Sequence, residues 1–249
     1  MQHSAPSFRE FSDRFRSLET TLSRELFREH RDQMRVKKEE TAAENLRRII
    51  DATLRLANRK GFQSMSLRDL SAETGLSAGG LYAYIRSKDD LVRLIQRHGV
   101  ALTLRSLEDA IAAADGPRDK LRAAIRAHLF LTETMQPWFY FSYMEAKNLP
   151  RRETREAIRS EVAVEELFTG IIRAGQARGV FRNGDPQLLA GMIKALLQDW
   201  YLKRWKHRQR NVSVECYADA VQNMVEHAVL VPPYDEAPAA AHNATCEEG

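Results

Sequence analysis

Apolar residues recur at spacings of three and four along most of this 249-residue chain. Near the C-terminal end, one such stripe consists of Tyr217, Ala220, Val221, Met224, Val225 and Ala228. This spacing places apolar side chains on one face of a helix, and the alternation typical of half-buried strands is missing from the sequence. The pattern therefore predicts an all-α fold. A hydrophobic content of 43% is enough for a sizeable core in one or two domains.

Two short helices joined by a glycine-containing turn are predicted in residues 66–88, which read S-L-R-D-L-S-A-E-T-G-L-S-A-G-G-L-Y-A-Y-I-R-S-K. Ser66 and Asp69 have the spacing of a capping box at the start of the first helix. Gly75 can adopt the positive φ that ends this helix, and Ser77 can cap the second one. The pattern is that of a helix-turn-helix, and the small residues that open its second helix allow close approach to base edges in a major groove.

The same stretch resembles the DNA-binding domain of the TetR family of transcriptional regulators. The family signature L-Y-x-[HY]-[FIV], followed by [SN]-K-x-x-L, is matched here by Leu81, Tyr82, Tyr84, Ile85, Ser87, Lys88 and Leu91. The preceding A-x-x-x-G-F pattern is matched by Ala57, Gly61 and Phe62. The resemblance covers about residues 43 to 100, and beyond them only the number and order of helices resemble the family.

Several residues of the helix-turn-helix are predicted to contact DNA, both by their chemistry and by the resemblance. The candidate phosphate donors are Ser66, Ser77, Tyr82, Tyr84 and Lys88. Arg68 is the best candidate for a guanine contact. Ala78, Gly79 and Gly80 begin the recognition helix with little hydrogen-bonding capacity, so base readout would depend on Arg68 and on DNA shape. It stays open whether one of the two tyrosines is partly buried in the core.

Charge is distributed unevenly along the chain, whose net charge is +4. Residues 1–100 hold 19 Lys and Arg against 14 Asp and Glu, whereas the remaining residues hold 19 against 20. The positive excess therefore lies with the helix-turn-helix, as phosphate binding requires.

The resemblance and the helical pattern together predict four segments. They are an N-terminal amphipathic basic extension (1–41), a three-helix helix-turn-helix DNA-binding domain (42–100), a helical ligand-binding and dimerisation domain (101–231), and a tail (232–249) that is disordered by composition.

The N-terminal extension carries an apolar stripe consisting of Phe8, Phe11, Phe15, Leu18 and Leu22, with arginines between them. Three interpretations stay open: the stripe packs on the protein's own body, the helix is an arm that contacts phosphates, or it pairs with a partner subunit or is partly disordered.

An aromatic segment, residues 137–149, is predicted to be buried on every side. It is either plain core or the wall of an apolar ligand cavity. The candidate pocket residues are His128, Trp138, Phe139, Phe141, Tyr143, Met144, Phe168, Ile172, Met192, Leu196 and Trp200. His98 and His128 lie on apolar faces without companion ligands at zinc-like spacing, so we expect core or pocket histidines and no metal site.

Basic residues follow the penultimate predicted helix: Lys203, Arg204, Lys206, Arg208 and Arg210. They are either a solvated helix end or, for the first four, a phosphate-binding rim on an apolar cavity. This region is similar to the C-terminal segment of TetR regulators that sense acyl-coenzyme A thioesters. The similar parts are Trp200 and Tyr201, the basic loop that follows them, and the segment S-V-E-C-Y-A-D (213–219). That similarity implies an apolar tunnel for an acyl group and cations for the nucleotide phosphates.

The apolar helices at about 186–206 and 214–230 resemble the pair through which TetR subunits form homodimers, and a dimer matches two DNA half-sites. Cys216 and Cys246 lack metal-ligand spacing. One lies in a helical pattern and the other in the tail, which is typical of a reducing compartment, so no disulfide framework is expected. The sequence also shows neither a signal peptide nor an apolar run of about 18 residues, which predicts a cytoplasmic protein without a membrane partner.

The sequence thus predicts a homodimeric repressor that binds a double-stranded DNA operator and is released by a hydrophobic small molecule, with an acyl-CoA as the specific candidate. No cofactor is expected. The alternative is an architectural DNA-binding protein without an effector. An enzyme is not expected, because a nucleophile elbow, a Gly-rich phosphate loop and paired carboxylates are absent from the sequence.

Overall fold

The computed structural model describes residues 6–31, 34, 36, 38–145 and 151–232. Over these residues the chain forms eleven helices and, apart from an isolated bridge between Phe181 and Leu230, no β-structure. The helices are α1 (Phe8–His30), α2 (Glu39–Lys60), α3 (Leu67–Thr74), α4 (Ala78–Tyr82), α5 (Lys88–Ala112), α6 (Gly116–Thr134), α7 (Gln136–Glu145), α8 (Arg151–Ala177), α9 (Pro186–Leu202), α10 (Arg204–Gln209) and α11 (Val214–Val229). The all-α prediction is confirmed. The predicted tail, except for its first residue, and Cys246 lie outside the described residues.

The helices are grouped into two compact units. Of the described residues, those within Asp13–Thr103 and Met135–Ser160 form the helix-turn-helix unit, and 6–12, Leu104–Thr134 and 161–232 form the C-terminal unit. This grouping differs from the division predicted at residues 41 and 100, because the aromatic segment belongs to the same unit as the helix-turn-helix.

The core of the helix-turn-helix unit is built on α2, whose apolar face is fully buried, and on α7, which packs against α2. Gly61, with φ of 83°, ends α2 and donates its N–H to the carbonyl of Ala57. The indole Nε1 of Trp138 on α7 donates to the carbonyl of Ile95 at 3.1 Å. The ring of Phe141 packs edge-on against Phe62, so α7 completes this core.

The C-terminal unit is organised by the packing of α6 against α11 and α9. Arg118 and Arg122 on α6 both bind the nearly buried carboxylate of Glu226 on α11, at 3.0 and 2.8 Å. Asp185 caps α9 by accepting hydrogen bonds from the backbone of residues 187 and 188, and Pro186 occupies the first turn. The predicted helix end at residue 206 is wrong, since α9 ends at Leu202 and the shorter α10 follows.

The apolar stripe of α1 faces the protein itself. Phe8 and Phe11 pack edge-on against Phe130 of the C-terminal unit, while Phe15 and Phe27 are buried in the helix-turn-helix unit. The structure therefore supports the first of the three interpretations of the extension. Within α1 itself the charges balance, because the helix holds five arginines and five acidic residues.

Candidate nucleic-acid interface and effector region

The first helix of the helix-turn-helix, α3, begins with the predicted capping box. Oγ of Ser66 accepts the N–H of Asp69 at 3.1 Å, and the carboxylate of Asp69 accepts the backbone N–H of Ser66 at 2.7 Å. Hydrogen bonds from Lys60 and from Ser66 keep the pKa of Asp69 well below its usual value. The helix ends at Gly75, whose φ is 68°, as predicted. Caps at both ends fix the first turn of α3, from which Arg68 extends as an exposed side chain.

The second helix, α4, presents a bare N-terminal end to solvent. Oγ of Ser77 accepts the N–H of Gly80 at 3.1 Å, which caps the helix, and Leu81 anchors the helix in the core with 1% exposure. Ala78 and Gly79 are exposed, and nothing lies within 4 Å of a Cβ placed on Gly79. The small residues therefore form an open end that another molecule can approach closely.

The acidic residues next to this surface are paired. Glu73 on α3 binds Arg55 at 3.1 Å and Arg59 at 3.9 Å, and Asp69 binds Lys60. Pairing reduces their repulsion of a phosphate backbone, and Arg68 remains exposed beside them.

The two tyrosines differ in position. Tyr82 is 53% exposed, whereas Tyr84 is buried at 7% and its hydroxyl accepts a hydrogen bond from Nδ2 of Asn45 at 2.8 Å. One of the two is thus part of the core, as one interpretation of the sequence held. The hydroxyl of Tyr84 keeps its own proton for one further acceptor.

Lys88 has a role that the sequence pattern did not indicate. Its ammonium donates to the carbonyls of Phe62, Gln63 and Met65 at 2.8, 3.0 and 2.9 Å, and it lies 4.8 Å from the ring centroid of Phe62. Desolvation lowers the pKa of Lys88. The three bonds use all three of its hydrogens and tie the start of α5 to the turn after α2, so a phosphate would have to displace one of them.

The predicted pocket residues do not come together in one unit. Trp138, Phe139 and Phe141 are buried in the core of the helix-turn-helix unit. Phe168, Ile172, Trp200 and His128 are buried in the C-terminal unit, and Leu196 is partly buried there.

The prediction that the aromatic segment is buried on every side is wrong. Tyr143 and Met144 on α7 are about half exposed, because only one side of α7 packs against α2. Met192 is exposed as well, and residues 146–149 lie outside the described part of the chain.

A polar cluster that sequence reasoning missed lies in the C-terminal unit. The side chain of Lys194 on α9 is 5% exposed, and its ammonium lies 3.1 Å from Oε1 of Glu161 and 3.5 Å from Nε2 of His128. In the sequence, this cluster was indicated only by Lys194 itself, which is the single cation inside the apolar run of α9 and follows Ile193.

The predicted phosphate rim is largely paired with carboxylates. Arg204 binds both oxygens of Glu133, at 2.9 and 2.8 Å, and stacks over the ring of Trp200. Lys203 and Lys206 both bind Asp199. Arg208 is exposed. The arrangement therefore favours a structural role for three of the four predicted rim cations.

Neither a metal site nor a membrane span is found in the part of the chain that the structure describes. There, groups of three His, Cys, Asp or Glu side chains that could hold a metal ion are absent. A helix long and apolar enough to cross a membrane is likewise absent from the described residues.

Comparison with known proteins identifies the family. The model described as bacterial regulatory proteins, tetR family, matches residues 49–95, and the model described as tetracyclin repressor-like, C-terminal domain, matches residues 114–229. The HTH-type transcriptional regulator HbdR of Aromatoleum sp. (strain CIB) is 24% identical over 184 residues, which are 74% of this chain and 80% of HbdR.

Solved structures agree with these matches. The TetR family transcriptional regulator PfmR from Thermus thermophilus is 26% identical, with a TM-score of 0.65 over 73% of this chain and 98% of PfmR. AibR, solved with isovaleryl coenzyme A and operator DNA, shares the fold at 20% identity, with a TM-score of 0.64 over 72% of this chain and 97% of AibR. The two family models together span more than half of the residues, and the chain belongs to the TetR family of DNA-binding transcriptional regulators.

Proposed function

We propose that this chain is a homodimeric repressor that binds a palindromic operator and is released from it by a hydrophobic small molecule. The observation that carries the proposal is the capped helix-turn-helix, in which Arg68, the open end of α4 and Tyr82 are exposed together. In this assignment Arg68 reads a guanine, and Ser77 and Tyr82 donate to phosphates. Oγ of Ser77 accepts the helix cap and therefore keeps its proton for a phosphate.

Exposed apolar stripes on α9 and α11 support the homodimer. On α9 the stripe consists of Leu188, Met192 and Ala195, and on α11 it consists of Ala220, Met224 and Ala228. The large members are 63%, 59% and 52% exposed for Leu188, Met192 and Met224. The hydroxyl of Tyr217 on α11 donates to the carbonyl of Leu196 on α9 at 2.9 Å, so the two helices touch at this point. Two such helices from each subunit form a self-complementary apolar surface, and two linked recognition helices match two half-sites.

The binding site of the effector is assigned to the C-terminal unit, because the core of this unit is rich in apolar side chains. An acyl-CoA is the specific candidate, supported by the sequence similarity to acyl-CoA sensors and by the AibR complex with isovaleryl coenzyme A. The pairing of Arg204, Lys203 and Lys206 with carboxylates weighs against a free phosphate rim. A repressor of this kind acts in the cytoplasm, where the DNA is.

The test is binding of the purified protein to DNA from upstream of its own gene, followed by fluorescence anisotropy at fixed salt. We expect nanomolar specific binding that unlabelled random DNA does not compete away, and release by a long-chain acyl-CoA or another apolar effector. The effector needs only to bind the state that is incompetent for DNA more tightly than the competent one.

Binding without sequence preference would contradict the repressor and support the architectural alternative. Specific binding that a panel of acyl-CoA thioesters leaves unchanged would keep the repressor and remove acyl-CoA as the effector.

A further inference from the structure

Lys194 is a buried cation with an uneven set of neighbours. Its side chain is 5% exposed, whereas that of its ion-pair partner Glu161 is 50% exposed. The same Glu161 oxygen also accepts a hydrogen bond from Nε2 of Gln198 at 2.9 Å. On the inner side, the neighbour of Lys194 is the imidazole of His128, which is fully buried. The ammonium thus lies at the border between an apolar core and a carboxylate that reaches solvent.

The imidazole provides no compensating negative charge. Burial, and then the charge of Lys194, keeps the pKa of His128 well below its usual value, so its ring is neutral. Its Nε2 faces the ammonium as an acceptor. On the other side, the ring of Phe168 packs edge-on against His128, with 6.4 Å between the ring centroids.

Stability alone does not account for a lysine at this position. Removing an ammonium from water is costly, and a carboxylate that is half in water repays only part of that cost. A methionine of similar length at position 194 would continue the apolar run of α9 without the penalty. A buried cation in an apolar setting is the feature by which ligand sites orient a charged group.

We propose that Lys194 binds the carboxylate of the effector, and that Glu161 is the ion-pair partner of Lys194 when no effector is bound. The inference rests on the proposed function and specifies its ligand class: an amphipathic organic acid with one carboxylate and an apolar body. The carboxylate binds Lys194, with the neutral His128 next to it, and the body lies against apolar side chains such as Phe168 and Ile172. Glu161 can turn into water at little cost, because half of its side chain is already exposed.

A free acid fits this position better than an acyl-CoA does. In a thioester the carboxylate has been replaced by a neutral group, so Lys194 would face no anion from the acyl end. The charge of coenzyme A lies on phosphates, and three of the four cations predicted to bind them are already paired.

The test is isothermal titration of the full-length protein with decanoate, with methyl decanoate and with decanoyl-CoA. The variants are Lys194→Met, Glu161→Gln and, as a matched control, Lys120→Met at a partly exposed lysine of α6. We expect saturable binding of decanoate to the wild type, loss of about tenfold or more in affinity with Lys194→Met, and no change with Lys120→Met. Binding of methyl decanoate should be equal in wild type and Lys194→Met.

Glu161→Gln separates a ligand site from a structural ion pair. If Glu161 competes with the ligand for Lys194, the variant should bind decanoate several-fold more tightly, since the competing charge is gone. A purely structural pair predicts unchanged or weaker binding, and that result would overturn the proposal even if Lys194→Met were poorly folded. Absence of saturable decanoate binding to the wild type, or equal decanoate affinity in Lys194→Met, would also overturn it.

Operator binding is measured on the same samples by anisotropy. If the wild type binds its operator but not decanoate, the proposed repressor function stands and the ligand class is wrong. If it binds decanoate but no operator, the anion site stands and the repressor function is wrong.

Discussion

At the residue scale, the candidate interface depends on which side chains the helix caps leave available. The hydroxyl of Ser66 donates to Asp69 at 2.6 Å, so its proton is engaged within the capping box. Oγ of Ser77, by contrast, only accepts from the backbone of Gly80. The guanidinium of Arg68 is exposed on the first turn of α3. Of the polar side chains predicted to contact DNA, Arg68, Ser77 and Tyr82 are therefore the exposed ones that need break no described internal hydrogen bond to do so.

Replacing Arg68 by alanine should weaken specific operator binding by about 1–3 kcal/mol, which is the usual contribution of a bidentate arginine–guanine pair. The measurement is anisotropy with the validated operator, and a scan of single base changes should show that the preference at one position is lost. Arg173→Ala, which removes an exposed arginine of α8, is the control and should leave binding unchanged. Unchanged affinity of the Arg68 variant would rule out the assignment.

His98 predicts how the stability of the helix-turn-helix unit depends on pH. Burial lowers the pKa of His98 to about 4, from about 6.5 in an unfolded chain. Between these values the unfolded chain binds the additional proton, so the free energy of unfolding falls as the pH falls from about 6.5 to 4, by about 3 kcal/mol in total. Urea unfolding at several pH values should show this loss in the wild type.

In His98→Gln, which cannot titrate, the same unfolding series should lack that part of the pH dependence. The control variant is His227→Gln, at an exposed histidine of α11. An identical slope in His98→Gln and wild type would show that His98 does not titrate as its burial implies.

At the scale of elements, the contact between α5 and α7 depends on a missing side chain. A Cβ on Gly99 would lie 1.9 Å from Cε2 of Trp138, so the glycine provides the space in which the indole lies. The indole then bonds to the carbonyl of Ile95 on α5. This contact explains why the aromatic segment belongs to the helix-turn-helix unit.

Gly99→Ala should lower the free energy of unfolding by about 1–3 kcal/mol, because the bulky ring has to move out of its position. The matched control is Gly170→Ala on α8, where nothing lies within 4 Å of an added Cβ. That substitution should raise stability by up to about 1 kcal/mol, since alanine has the higher helix propensity. Urea unfolding of both variants decides the matter, and equal stability of the two would contradict the packing described here.

At the scale of the whole molecule, the exposed stripes of α9 and α11 concern assembly. Leu188 and Met192 on α9 and Met224 on α11 are large apolar side chains that are exposed, and contiguous exposed apolar surface usually marks an interaction site. In the proposed homodimer, a second copy covers them with the same stripes, which is the geometry of a two-fold interface.

Met192→Lys or Met224→Lys should weaken the dimer by about a hundredfold or more. Each copy loses about 1.5 kcal/mol or more of apolar burial, and two-fold symmetry doubles the loss. Sedimentation equilibrium measures the dissociation constant, and operator affinity should fall in parallel at nanomolar protein concentration. Met144→Lys, at a methionine of α7 with similar exposure, is the control. A dimer as strong as the wild type in both variants would place the interface elsewhere.

The features that the sequence predicted correctly are set by neighbours within one or two turns of the chain. The capping box needs only Ser66 and Asp69 three residues apart, and the turn needs only a glycine at position 75. Helical periodicity is local in the same way, so the all-α fold and the helix-turn-helix followed from the pattern of residues alone.

Only the tertiary structure decided which polar and aromatic side chains are buried and against what. Lys88 bonds to carbonyls more than 20 residues away, Trp138 lies against Gly99, and Lys194 lies beside His128, 66 residues earlier in the chain. A spacing pattern states which residues share a face of one helix, but not which helix covers that face. The burial of a charge or a ring depends on that second helix, and therefore on the packing of the whole unit.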